Sequence, residues 1–175
     1  MNFKKISVCF AITAVLLTGC SNGSEATVTD TDVVQETTMS EEASVKEPMP
    51  SDITAAIMAE IEIPSAVEKD VDSIDYYFNV DKTQLEDVSM YICGSGAFPD
   101  ELTVLKMTSA EAAETAMTAV QDHFESQIEL YRDYTPNEFY KLEEAKVIIK
   151  NNYVMLFVCS DNARAEEIAE SFFNN

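Results

Sequence analysis

Basic residues, histidine and glycine are scarce in this chain, and no apolar run is long. The 175 residues include 11 lysines and arginines, 32 acids and one histidine, so the formal net charge is −21 at pH 7. A chain this acidic is repelled by phosphate backbones, which argues against nucleic acid as a partner. The four glycines form no phosphate-cradling loop, and no CxxC pair or basic stripe is present. The sequence therefore predicts no cofactor and no metal centre.

The longest apolar run, from Ile6 to Leu17, follows two lysines and ends just before a cysteine. A membrane-spanning helix needs about 18 or more apolar residues, whereas the apolar part of a signal peptide needs about 7–15. The stretch Leu17-Thr18-Gly19-Cys20 resembles a bacterial lipobox. It predicts a lipoprotein signal peptide over residues 1–19 and a diacylglyceryl thioether on Cys20. The two acyl chains of that group would anchor the protein on the extracytoplasmic face of the cell membrane.

Residues 20–50 are predicted to form the lipidated cysteine and a disordered acidic tether. The segment is rich in Ser, Thr, Asp and Glu and has no aromatic residue, so it cannot bury enough surface to offset its ordering entropy. Residues 51–175 then form a single globular α+β domain. Cys93 and Cys159 fall in this domain. They could form a disulfide outside the cytoplasm, although two separate, partly buried thiols are the preferred interpretation.

Hydrophobic periodicity predicts four strands in two hairpins, each hairpin followed by a helix. The strands are Val88 to Cys93, Leu102 to Met107, Ala145 to Lys150 and Tyr153 to Cys159. The helices begin at Ser51, at Val71, at a capping box from Thr108 to Glu111, at a second capping box from Thr135 to Glu138, and near Ser160 or Asp161. This order favours a four-stranded antiparallel sheet with its helices mostly on one face, together with additional N-terminal helices.

The closing hairpin predicts two differently occupied faces. A tight turn at Asn151-Asn152 pairs Ile149 with Val154, Val147 with Leu156 and Ala145 with Val158 on the core side. The opposite face is still too apolar for a wetted surface. Either the helix from Ser51 covers this face, or it is a binding or self-association surface. The residues predicted there are Leu105 and Ile148 together with a candidate contact face of Tyr91, Tyr153, Met155 and Phe157.

Three features of the sequence are candidates for chemical sites. His123, the lone histidine, lies at the margin of the apolar stripe of the long helix and is interpreted as bordering the core. Cys93-Gly94-Ser95-Gly96 fits a hairpin loop better than a nucleophile motif. An acidic cluster fits a solvated helix start better than weak metal binding, because it lacks the glycine of a calcium loop. Its members are Asp70, Asp72, Asp75 and Asp81.

Three stretches carry a resemblance to a known family. They are Asp100-Glu101-Leu102 leading to Val104 and Lys106, Tyr134-Thr135-Pro136, and Tyr153-Val154 in the closing hairpin. Together they resemble a family of uncharacterised lipoproteins of Gram-positive bacteria, called domain of unknown function 4358, over most of residues 51–173. Asn152 stands where such hairpins more often carry glycine. The family has no assigned activity, so the resemblance implies location and architecture and no chemistry.

These observations favour a lipid-anchored extracytoplasmic binding or accessory protein of the bacterial cell envelope, with the membrane as one partner and a protein or small ligand as the other. No residue is predicted to be catalytic. The alternative is a cell-envelope hydrolase with paired carboxylates, which predicts a pocket holding two carboxylates, at least one with a raised pKa. A structural, self-associating envelope protein is the third interpretation.

Overall fold

The computed structural model, which describes residues 47–174, contains an antiparallel sheet of five strands. In chain order the strands are β1 (Ala66–Lys69), β2 (Leu85–Cys93), β3 (Glu101–Met107), β4 (Val147–Lys150) and β5 (Tyr153–Val158). Their order across the sheet is β1-β2-β3-β5-β4, so β3 is the central strand. The helices are α1 (Pro50–Glu60), α2 (Ala110–Tyr134), α3 (Tyr140–Glu144) and α4 (Asn162–Ser171), with short 3-10 turns at Val71–Tyr76 and Lys82–Gln84.

The predicted four-stranded sheet is too small by one strand. β1 is only four residues long, three of them exposed, so it carries no alternating apolar pattern for a sequence reading to detect. It pairs with the outer edge of β2, from Ala66 opposite Cys93 to Lys69 opposite Met90. Gly94 is needed at this edge, because a Cβ there would collide with the side chain of Val67. The helical stretch predicted from Val71 is a 3-10 turn.

Helices cover both faces of the sheet, which corrects the prediction that they lie mostly on one. The long helix α2 packs against one face, whose buried residues include Met90, Leu105, Val154 and Leu156. The helices α1 and α4 pack against the other face and against each other. Leu105 therefore lies on the α2 face, opposite to its predicted side. Every residue of β5 is buried, so a single layer of helices would leave half of that strand's apolar surface in water.

The long helix is predicted correctly, but its cap and the helix after it are shifted. Ser109, and not Thr108, caps α2 by accepting a hydrogen bond from the backbone of Ala112 at 3.1 Å. Residues 136–139 form turns, and α3 begins only at Tyr140. The hydroxyl of Thr135 is buried without a hydrogen-bond partner among the described residues, so Thr135 does not cap a helix through its side chain. The stripe along α2 buries Ala113, Ala116, Val120, Phe124 and Tyr131.

The closing hairpin has the predicted register. Ile149 pairs with Val154 and Val147 pairs with Leu156. Ala145 precedes β4 but packs against the same core. Asn151 adopts a φ of 53°, the left-handed conformation that tight hairpin turns require.

The covering of the second face by α1 predicts a large difference between two Ile→Ala substitutions. Ile57 on α1 is 0% exposed, whereas Ile149 on the edge strand β4 is 36% exposed. Ile57→Ala should lower the free energy of unfolding by about 3 kcal/mol, because it leaves a cavity under α1. Ile149→Ala should cost about 1 kcal/mol or less, since its side chain is partly solvated already. Urea denaturation followed by circular dichroism measures both values, and equal losses would contradict the packing of α1.

Candidate functional site

Three of the four residues of the candidate contact face lie inside the protein. Tyr153, Met155 and Phe157 are 1%, 2% and 1% exposed, beneath α1 and α4. The Tyr153 hydroxyl donates a hydrogen bond to the carbonyl of Pro48 at 2.7 Å. Tyr91, near the outer edge, is half-buried. Of the two alternatives for this face, the structure shows the helical cover, so these side chains are not available to a partner in this conformation.

The buried charges lie at the other end of the sheet, where β3 begins. Asp100 and Glu101 are 2% and 4% exposed. Asp100 directly precedes β3 and Glu101 is its first residue, and the two carboxylates bond different side chains. Each carboxylate therefore has its own set of partners.

Asp100 forms a buried ion pair with Lys141 of α3. Lys141 Nζ lies 2.9 Å and 2.7 Å from the two carboxylate oxygens and 2.8 Å from an oxygen of Glu138. Burial raises the pKa of Asp100, and the hydrogen bonds and charge of Lys141 offset this only in part. Burial also disfavours the Lys141 ammonium, but its hydrogen bonds to Asp100 and Glu138 outweigh burial and raise its pKa. The ammonium is thus held by two carboxylates.

The same ion pair is connected to α4 through an asparagine. The Asn162 side chain donates to the carbonyl of Lys141 at 2.7 Å and accepts from the backbone of Cys159 at 2.9 Å. These buried hydrogen bonds hold α3 and α4 at the end of the sheet. Because breaking one partner of a buried ion pair leaves an uncompensated charge, we assign this cluster a structural role.

Glu101 is bonded to a hydroxyl and an imidazole, and no lysine or arginine is bonded to it within the described residues. One carboxylate oxygen accepts a hydrogen bond from the Thr103 hydroxyl at 2.6 Å, and the other lies 2.8 Å from His123 Nε2. The side chains of His123 and Glu101 are 7% and 5% exposed. Phe78 packs edge-on against the imidazole, with 4.8 Å between the ring centroids. His123 is of intermediate burial beside the core cluster, which agrees with its interpretation as a residue bordering the core.

A cavity of about 140 Å³ lies beside this pair. We call it the Glu101 pocket and define it by six of its lining residues: Tyr77, Ile92, Phe98, Glu101, His123 and Tyr131. The Tyr131 hydroxyl donates to the carbonyl of Gly96 at 3.2 Å. Burial raises the pKa of Tyr131, and nearby negative groups, Asp100 and Glu101 among them, raise it further. The pocket combines aromatic walls with a buried carboxylate and an imidazole, and apolar walls with a few polar groups are features of small-ligand sites.

Sequence reasoning missed this pocket although one signal was present. Asp100 directly precedes a mostly apolar strand, and Glu101 begins it. A charge at a buried position of a strand needs a partner. Apart from Thr103, the partners lie more than twenty residues away: His123 on α2 for Glu101 and Lys141 on α3 for Asp100. No spacing rule connects them.

The two cysteines in the described residues are separate thiols. Cys93 ends β2 and Cys159 follows β5, with β3 between them. Two strand spacings of about 4.8 Å each exceed the reach of a disulfide. Burial disfavours the Cys93 thiolate, but hydrogen bonds from the Ser95 hydroxyl and from backbone N–H groups of the loop outweigh it and lower the pKa of Cys93. Burial raises the pKa of Cys159 to about 11.

Three of the four acids in the acidic cluster bond to nearby residues of the chain. Asp70 and Asp81 accept hydrogen bonds from the backbones of Ser73 and Thr83, at the starts of the two 3-10 turns. Asp75 pairs with Lys82 at 2.8 Å. Over residues 47–174, no group of three or more His, Cys, Asp or Glu side chains is arranged to hold a metal ion.

The fold and the pocket define an α+β domain in which an antiparallel sheet lies between helices and carries buried acids at the start of its central strand. The chain belongs to the family described as Domain of unknown function (DUF4358), whose model matches residues 59–159. This range contains all five strands and the whole Glu101 pocket. No curated protein and no solved structure was found to match the chain.

The predicted signal peptide, Cys20 and residues 21–46 of the predicted tether lie outside the described residues. None of the helices between residues 47 and 174 has both the length and the apolar composition needed to cross a membrane.

The raised pKa of Cys159 predicts that the free energy of unfolding depends on pH in the alkaline range, and that Cys159→Ala reduces this dependence. The folded protein keeps the thiol proton up to about pH 11, whereas the unfolded chain loses it near the ordinary value of 9.0. The contribution of Cys159 to stability is therefore complete below pH 9 and is lost as the pH rises to 11, by about 2 kcal/mol. Urea denaturation at pH 8 to 11 should show a smaller fall for Cys159→Ala than for wild type.

Cys93→Ala is the matched control for this measurement. The lowered pKa of Cys93 has the opposite sign, so its removal should leave the alkaline fall in place. If the wild type and Cys159→Ala lost stability in parallel between pH 9 and 11, the thiol would not be desolvated as the structure has it.

Proposed function

We propose that the protein is a lipid-anchored extracytoplasmic binding or accessory protein of a Gram-positive cell envelope. The observation that carries the proposal is Leu17-Thr18-Gly19-Cys20 at the end of a twelve-residue apolar run. Such a run is too short to span a membrane, and the cysteine at its end is in the position that receives lipid. Residues 20–50 would act as an acidic tether between the membrane and the domain that follows. The resemblance of this chain to lipoproteins of its family points to the same location.

The binding part of the proposal rests on the Glu101 pocket. The pocket has aromatic walls and one carboxylate–imidazole pair, and a few polar groups within apolar walls are typical of sites that bind small ligands. The earlier candidate surface around Tyr153 is buried. A ligand or a partner side chain would therefore bind at the end of the sheet and not on its face.

The rival hydrolase has one observation in its favour. Asp100 and Glu101 both line the cavity, and the pKa of Asp100 is raised. Acid–base catalysis on one bond, however, requires two carboxylates that face the same substrate. Asp100 has both carboxylate oxygens bonded to Lys141, so it is engaged in an ion pair. The binding protein is therefore the better-supported function.

Lipidation is tested by replacing the cysteine. Cys20→Ala should abolish incorporation of labelled palmitate and move the protein from the detergent phase to the aqueous phase on Triton X-114 partitioning, because the acyl chains supply the apolar anchor. Cys9→Ala is the matched control: the residue lies in the same leader, and its removal should leave labelling and partitioning unchanged. Equal labelling of wild type and Cys20→Ala would refute the anchor.

A further inference from the structure

We propose that the Glu101 pocket binds a small alkylammonium group, supplied by a free amine or by a lysine side chain of a partner. The proposal rests on the binding function given above, and it does not depend on the lipid anchor. It follows from the charge, the walls and the size of the pocket.

The first argument is a buried carboxylate with no lysine or arginine bonded to it within the described residues. The bonded partners of Glu101 within the described residues are the Thr103 hydroxyl and the His123 imidazole, and no lysine or arginine is among them. The nearby Lys141 is already shared by Asp100 and Glu138. A buried carboxylate without a counter-charge is costly. A cation that enters the cavity would remove this cost and form a charge-assisted hydrogen bond.

The second argument is the aromatic lining. The faces of aromatic rings attract ammonium groups within about 6 Å of the centroid. Two aromatic rings of the pocket already contact an ammonium group of the protein. Lys69 Nζ lies 5.8 Å from the centroid of the Tyr77 ring, and Lys141 Nζ lies 5.7 Å from the centroid of the Phe98 ring. The Tyr131 ring is a third wall. Glu101 and the faces of these rings would repel an anion. An alcohol carries no positive charge to pair with the Glu101 carboxylate.

The third argument is size. A cavity of about 140 Å³ has room for about four or five water molecules at about 30 Å³ each. A chain of about four carbons with a terminal ammonium fills such a space, whereas a nucleotide or a sugar does not. Leu130 also lines the pocket and is 59% exposed, which places the entrance beside it.

The test is an NMR titration of the purified full chain in detergent micelles at pH 7 with n-butylammonium chloride, n-butanol and sodium butyrate. We expect n-butylammonium to bind with a dissociation constant in the millimolar range. The alcohol should bind at least about tenfold more weakly, and butyrate should not bind. Acetyl-lysine methylamide carries the same ammonium on a peptide backbone. Its binding would assign the site to a lysine side chain, and binding of n-butylammonium alone would assign it to a free amine.

Two variants locate the binding. Glu101→Gln keeps the shape of the side chain but removes its charge. It should lower the affinity for n-butylammonium at least about tenfold. Glu114→Gln removes an equal charge from an exposed position of α2 outside the pocket and should leave the affinity unchanged. Circular dichroism shows whether each variant is folded.

A third variant keeps the test decisive if Glu101→Gln does not fold. Leu130→Lys would supply an ammonium group at the entrance, which should compete with n-butylammonium and lower its affinity. Leu130→Met should leave the affinity unchanged. The proposal fails if wild type does not bind n-butylammonium at 50 mM, on the order of ten times the expected dissociation constant, if n-butanol binds equally well, or if Glu114→Gln is as damaging as Glu101→Gln. Those results would leave the anchor untouched, since Cys20 labelling measures it independently.

Discussion

The burial of β3 on both faces is the constraint on which the rest of the structure depends. It is the central strand of five, and six of its seven residues are buried. A side chain on this strand must therefore be apolar or must find polar partners inside the protein. Leu102 and Val104 face α1 and α4, whereas Leu105 and Met107 face α2. The acids at its start are satisfied by residues from elsewhere in the chain.

These acids divide the end of the sheet into two parts with different roles. On one side Asp100 holds Lys141, and Asn162 extends the contact to α4. On the other side Glu101 meets His123 beneath Phe78, next to a cavity. The first cluster is balanced by an ammonium and stabilises the packing of helices. The second has no lysine or arginine bonded to its carboxylate within the described residues, and this difference is why we assign binding to the Glu101 pocket.

Local patterns were sufficient to predict α2, the closing hairpin and its register. The stripe through Val120 and Phe124 repeats over many turns, and the pairing of Val147 with Leu156 follows from a two-residue turn. β1 could not be predicted, because its pairing with β2 depends on backbone groups and not on an apolar pattern. The second layer of helices and the pairing of Glu101 with His123 join distant parts of the chain. Such contacts are set by tertiary packing, which propensity and period do not encode.

Double-mutant cycles test most directly whether Asp100 and Glu101 belong to two energetically independent clusters. Urea denaturation of Asp100→Asn, Glu101→Gln, His123→Asn, Lys141→Met and their pairwise combinations gives the coupling energies. Asp100 should couple with Lys141, and Glu101 with His123, each by about 1 kcal/mol or more, because each pair is bonded inside the protein. The crossed pairs, Asp100 with His123 and Glu101 with Lys141, should be additive within about 0.5 kcal/mol. Crossed couplings as large as the direct ones would mean that the two carboxylates share one site.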